Sequence, residues 1–284
     1  MIFSEFSQYS ELTETRQPGE SLELPDSVRL LERPSEAPEQ PEARLETWEL
    51  DEGLEMDARI REAAEVVSKA PFEYSEAYID SQGVYHPGQI TGVYKDSLED
   101  PAHRETAESL SGWQRQEKMM SCAVQAQREI INKQTKANVT ETELREIGKK
   151  LDIYTDIRGT YRSDVGKLAE RYGLERYQPE NAATSDLIAA KARGEDLIVA
   201  VDSALLERPY LPKAAAVNHV VEVLDFDLSD SENPKVILND PGRMEGRGSV
   251  YPLSVFERAA CKSVRTAEGT TYVSVTEIRK KEAQ

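Results

Sequence analysis

From Trp113 onward the apolar residues recur at helical spacing, and beyond residue 195 the spacing shortens to that of strands. Cys122, Val124, Ala126, Ile130 and Ile131 supply one apolar side of a helix predicted over residues 122–136. Thr140 with Glu143 three residues later has the form of a capping box and opens a second helix. A third is expected over 163–172, where Gly173 suits its stop, and a fourth over 183–192. Three β-branched runs then follow, at 197–201, 217–226 and 236–238, each bounded by turn residues and each read as a buried strand. A last helix is expected over 252–260 and a last strand over 271–275. Helices first and strands afterwards indicate an α+β fold, not alternating βαβ units. No internal repeat is visible.

The chain before Trp113 has a different texture. Leu54, Met56, Ile60, Ala63, Ala64 and Val67 keep a helical period, so a short helix is expected over 54–69, stopped by Pro71. Residues 72–110 hold several turn formers, His86-Pro87-Gly88 among them, and read as an irregular linker. Before residue 50, five prolines (18, 25, 34, 38 and 41) stand among many glutamates. Such a stretch cannot bury enough apolar area to offset its ordering entropy, so it reads as disordered. The expected organisation is therefore an acidic segment (1–50), a helix and linker (51–110), a folded domain (111–276) and a charged tail (277–284).

Charge sharpens that division. The net charge is -18, and of the 53 acidic and 35 basic residues, 26 and 9 fall within residues 1–110. The remainder is nearly balanced. An acidic, solvated segment joined to a near-neutral domain argues against nucleic acid and against anionic membrane surfaces, which it would repel. It leaves open a partner for the acidic segment itself. Apolar runs fall far short of the ~20 residues a membrane helix needs, and the first residues lack a basic start and an apolar core. The expectation is a soluble protein made in the cytoplasm, with export by a route that needs no such signal left open.

Two cysteines make no disulfide scaffold. One of them has the setting of a nucleophile. Cys122 stands at a predicted helix N-terminus, where free N–H groups and the helix dipole favour a thiolate. His219, in a predicted strand, is the only histidine of the 111–276 segment and is the candidate base. Asp240 follows the next strand, and two adjacent antiparallel strands would set it beside the His219 ring to orient it. Gln116 lies six residues before Cys122, and its amide could join the Cys122 N–H in stabilising an oxyanion. Each residue alone has an ordinary explanation: a small buried thiol, a core histidine, a turn aspartate. The order Gln, Cys, His, Asp is what points to a papain-like set.

Gln116-x5-Cys122-Ala123-Val124, Asn218-His219-Val220-Val221 and Asn239-Asp240-Pro241-Gly242 together resemble the bacteriocin-processing, double-glycine peptidases, family thirty-nine of the cysteine peptidases. The likeness is greatest to the stand-alone, peptidase-like branch of that family. Trp113, Gly159-Thr160, Tyr172-Gly173-Leu174, Val201-Asp202-Ser203 and Asp227-Leu228-Ser229-Asp230 match further features of that branch. The resemblance spans about 165 residues. It implies a papain-like domain with Cys122 as nucleophile, His219 as general base and acid, Asp240 as orienting residue and Gln116 as oxyanion donor. It implies a protein or peptide substrate and no cofactor. Two departures adjoin the site without touching the four positions: Gln114 stands where the branch commonly has histidine, and residues 114–120 are unusually charged. The transporter-fused relatives cut after a Gly-Gly pair, and with no membrane domain here that substrate is not carried over.

The remaining features have plainer readings. Asp202 and Ser203 either line the cleft or make strand-end hydrogen bonds. Residues 86–92 are either a strap bracing the domain or a linker. Cys261 reads as a partly buried thiol. No His/Cys cluster has metal-ligand spacing and no glycine-rich phosphate loop occurs. Besides peptide hydrolysis, the same residues would serve an acyltransferase or amidase, and an inactive binding module stays a third alternative.

Overall fold

The computed structural model describes residues 28–32, 72–211, 217–265 and 271–281. The helix expected over 54–69, and almost all of the acidic segment, lie outside the described residues.

The chain is α+β, as the pattern predicts, and is organised on one large sheet. Its strands are β1 (Arg29–Leu31), β2 (Phe72–Tyr74), β3 (Gly88–Tyr94), β4 (Leu174–Tyr177), β5 (Asp196–Val201), β6 (His219–Asp227), β7 (Lys235–Asn239), β8 (Ser249–Pro252) and β9 (Val275–Lys280). They run in the order β1-β3-β8-β7-β6-β5-β9-β4, with β2 also paired to β3. Every pairing is antiparallel except β1 with β3.

The central strands are apolar on both faces because both faces are covered. Leu197, Val199, Val201, Val221, Val223, Val236 and Leu238 point to one side. There they meet helices α5 (Thr184–Ala192) and α7 (Leu253–Ala260) through Leu187, Ala190, Phe256 and Ala259. The intervening residues point the other way. Ile198 and Ile278 pack with Val124, Ile130 and Ile131 of α2 (Cys122–Thr135), and with Leu144 of α3 (Glu141–Lys150). Leu224, Ile237 and Val250 pack with Leu110 of α1 (Pro101–Gly112) and with Phe72, Ile90 and Val93. This period-two division of each strand is what makes the runs read as continuously hydrophobic. Burying one such side chain contributes roughly 1.5–3 kcal/mol.

The α3 start has the predicted capping box: Thr140 Oγ1 accepts from the Glu143 N–H at 3.2 Å, and Glu143 accepts from the Thr140 N–H at 2.8 Å. Three expectations need correction. Residues 72–110 are no irregular linker, since β2, β3 and most of α1 lie there, and β3 pairs with β8. Of the two readings of residues 86–92, the bracing one describes their place in the sheet. Residues 163–172 form no continuous helix. Gly166, at φ +90, separates a 3-10 turn from the four-residue α4 (Lys167–Glu170). A Cβ on Gly166 would lie 2.4 Å from the Arg176 side chain, so the chain turns there to pass β4. The sheet also extends beyond 276: β9 continues to Lys280 and pairs with β4 and β5. Its Glu277, among Glu195, Arg193 and Arg279, gives a strand the composition of a tail.

Candidate active site

Three of the four expected residues meet where α2 begins against the ends of β6 and β7. Cys122 is the first residue of α2 and is half-buried. As the first residue of α2, Cys122 stands at the positive end of the helix dipole. His219 opens β6, and its side chain is 12% exposed. Asp240 follows β7 and is buried.

His219 Nε2 and Asp240 Oδ1 are 2.7 Å apart, and the ring also interacts with the Cys122 thiol. With Nε2 turned to the carboxylate, Nδ1 is the nitrogen left for sulfur. Burial opposes a charged imidazole, but the bonds to Asp240 and Cys122 outweigh it and raise the His219 pKa to about 10. The two neighbours thus favour the charged form of the ring.

The turn after β7 is built around this contact. Asp240 Oδ1 also accepts from the Gly242 N–H at 2.8 Å, and the Asp240 N–H donates to Gly246 O at 2.7 Å. A Cβ on Gly242 would stand 2.9 Å from His219 Cε1, 3.2 Å from Nε2 and 3.3 Å from Asp240 Oδ1. Glycine is the residue that leaves the ring room to lie flat on this turn.

Gln116 is nearby in the chain but turned elsewhere. Its backbone N–H donates to Pro241 O at 2.9 Å, tying the segment before Cys122 to the Asp240 turn. Its side-chain Nε2 donates to Lys118 O (2.6 Å) and Met119 O (2.8 Å), closing its own loop, while Oε1 is buried without a partner among the described residues. Exchanging O and N would set an oxygen against two carbonyls, so this amide orientation is fixed by its partners.

Asp202 and Ser203 take the plainer of their two readings. Asp202 Oδ1 caps α6 (Ser203–Glu207) through the Ala204 N–H at 3.0 Å, and the Ser203 N–H and Oγ both donate to Asn218 Oδ1 at 3.1 Å. They brace the start of β6 where His219 sits. No group of three or more metal-ligating side chains occurs among the described residues. No helix among them is long and apolar enough to cross a membrane.

The sequence reading missed the buried glutamates beside the site. Glu129 and Glu141 are 4% and 3% exposed, and each accepts a backbone N–H from the Gln116 segment. Glu129 lies seven residues after Cys122 on the same helical face. A carboxylate at that spacing on an otherwise packed side was the available signal.

No family model matches the chain, and no curated protein matches it. Among solved structures, the chain is similar to a double glycine motif protease from an AMS/PCAT transporter, in complex with its leader peptide. That likeness has 16% identity and a TM-score of 0.39 over 59% of this chain and 90% of the other. It is also similar to the peptidase domain of Streptococcus ComA, a bifunctional ABC transporter involved in quorum sensing. There the identity is 17% and the TM-score 0.39, covering 59% of this chain and 96% of that one. A putative C39-like peptidase from Bacillus anthracis follows at 14% identity and TM-score 0.39, covering 59% and 92%.

Proposed function

We propose that the chain is a cysteine peptidase with a papain-like catalytic arrangement, using Cys122, His219 and Asp240 on a protein or peptide substrate. The observation that carries this is the unbroken series thiol–imidazole–carboxylate, seated at a helix N-terminus and closed by a 2.7 Å contact between His219 and Asp240. A merely structural histidine has no need of a thiol on one nitrogen and a buried carboxylate on the other.

The steps follow from these groups. The Cys122 thiolate, paired with the His219 imidazolium, attacks the carbonyl carbon of the scissile bond. The developing oxyanion is met by the Cys122 N–H, which as the first helical residue has no carbonyl one turn back to bond. Gln116 is the second donor when its amide releases the Lys118 or Met119 carbonyl, a side-chain rotation in a segment already joined to the Asp240 turn. His219 then protonates the leaving amine, and Asp240 keeps the ring oriented. Water, deprotonated by the now neutral His219, resolves the acyl-enzyme and restores the thiol pair. A Gly-Gly cleavage site is not part of the proposal.

The test pairs chemistry at sulfur with substrate turnover. Iodoacetamide is expected to alkylate Cys122 in the folded protein, and Cys122→Ala to abolish that label while Cys261 serves as the internal comparison. In a lysate, wild-type protein is expected to create new protein N-termini that Cys122→Ala does not. An intact protein whose Cys122 resists alkylation, or new termini that arise equally with both proteins, overturns the reading. Mass changes on substrate side chains without new termini would instead identify acyl transfer or amide hydrolysis.

A further inference from the structure

We infer that Glu129 is a positioning residue for the oxyanion side of the site, locking the Gln116 segment to the strand end that carries Asp240. The inference rests on the cysteine peptidase reading above.

Glu129 sits on α2, two turns beyond Cys122, and touches both halves of the site from behind. Its Oε1 accepts from the Gln114 N–H at 3.0 Å and from Gln125 Nε2 at 2.9 Å. Gln125 Nε2 also donates to Gln114 O at 2.9 Å, so the peptide at Gln114 is held by both its N–H and its carbonyl. Glu129 Oε2 faces Asn239 Nδ2 at 3.4 Å. Asn239 immediately precedes Asp240, and its Oδ1 accepts from the Gly248 N–H at 3.1 Å, which closes the far side of the Asp240 turn. One carboxyl group therefore joins the residue two before Gln116 to the residue one before Asp240.

Two features make this a locked contact and not a mobile one. Glu129 is hydrogen-bonded to Glu222 of β6, and burial together with that neighbour pushes its pKa well above the usual carboxyl range. Glu222 in turn faces Lys133 Nζ at 3.7 Å and accepts from Asn239 Nδ2 at 3.3 Å. From the other side, Glu141 Oε2 accepts the Glu117 N–H at 2.7 Å. The N–H groups of Gln114, Gln116 and Glu117 are thus all taken by partners outside their own segment, and of those partners only Glu129 reaches the Asp240 strand from within the Cys122 helix.

A role in positioning separates two reactions of one thiol. Alkylation by iodoacetamide forms no oxyanion, whereas acylation by p-nitrophenyl acetate passes through a tetrahedral oxyanion, and losing one oxyanion donor slows such a step about 10²–10³-fold. Glu129→Ala is expected to slow acylation of Cys122 at least about tenfold and to leave its alkylation within about threefold. Glu129→Gln keeps the acceptor toward Gln114 but turns an NH2 group to the Asn239 Nδ2 donor, so its acylation is expected to fall between wild type and the alanine variant while its alkylation stays within about threefold of wild type. If the alanine variant does not fold, Glu129→Asp, too short to span Gln114 and Asn239, takes its place with the same expectation. Parallel loss of both rates, loss of neither, or a glutamine variant as slow as the alanine variant overturns the inference and leaves the peptidase reading standing. A wild-type protein inert to iodoacetamide overturns the peptidase reading itself.

Discussion

His219 lies between a buried carboxylate and a thiol, and its pKa of about 10 describes how strongly both favour its charged form. Because the folded value lies above the ordinary 6.5, charge on His219 stabilises the fold fully below pH 6.5. That contribution declines between 6.5 and 10 and is lost above. Asp240→Asn removes the leading attractive partner. Its ring resonance is expected to titrate well below the wild-type value of about 10, followed by NMR in a chain with three histidines. The stability advantage of wild type over Asp240→Asn, read from urea unfolding at several pH values, should shrink as pH rises through that window. Gly242 tests geometry without altering charge. Gly242→Ala sets a methyl 2.9 Å from His219 Cε1 on an exposed turn, so the fold survives while the ring shifts. Peptidase turnover should fall about 10²-fold, the cost typical of misplacing a catalytic group by about 1 Å. Unchanged turnover would show that the ring does not rest on this turn.

At the scale of elements, legibility followed the identity of the buried residues. Helix α2 and strands β5, β6 and β7 were readable within a few residues because enough of their buried positions, such as Val124, Ile130, Val199, Val221 and Leu238, are apolar to show the period despite buried Gln125, Gln127, Glu129, Glu222 and Asn239. Strand β3 was not, because Gly88 and Gly92 occupy two of its positions and suppress the alternation that Ile90 and Val93 would show. Helix α1 was not, because its inner face is Thr106, Ala107, Ser109 and Leu110, half of it polar. That face is polar for a reason. Ser109 Oγ meets Glu222 at 3.2 Å and accepts from Lys133 at 2.8 Å, and Lys133 also binds Asp196. Of the site, the order of Cys122, His219 and Asp240 was legible, but the orientation of Gln116 and the role of Glu129 were not, since both depend on contacts far apart in sequence. Lys133 is the cation of this layer. Burial opposes its charge, yet Asp196 and Glu222 hold its pKa above the ordinary lysine value. Lys133→Ala leaves two buried carboxylates without it, and breaking a buried pair in this way costs about 3–5 kcal/mol. The expected result is a lower urea midpoint with an unchanged slope, and a loss under about 1 kcal/mol would mean the carboxylates discharge by taking up protons instead.

Residues 72–112 are built into the same sheet and core as the chain that follows them. The Asp240 turn leads into β8, β8 pairs with β3, and β3 in turn pairs with β1 and β2. Phe72, Ile90, Val93 and Leu110 complete the core that covers Leu224, Ile237 and Val250. A chain beginning at Trp113 keeps Cys122, His219 and Asp240 but loses those four side chains, and with them Ser109, which meets Lys133 and Glu222. At roughly 1.5–3 kcal/mol each, the lost burial alone amounts to about 6–12 kcal/mol. That equals the entire net stability of an ordinary domain. Such a truncation is expected to give no cooperative urea transition and to expose apolar surface to a dye such as ANS, whereas a chain beginning at residue 72 retains this cluster apart from Val28 and should unfold in one step. A cooperative fold with alkylatable Cys122 in the shorter chain would return the boundary to the place the sequence suggests. The opposite outcome makes the strap through β3 and α1 part of what holds Asp240 against His219.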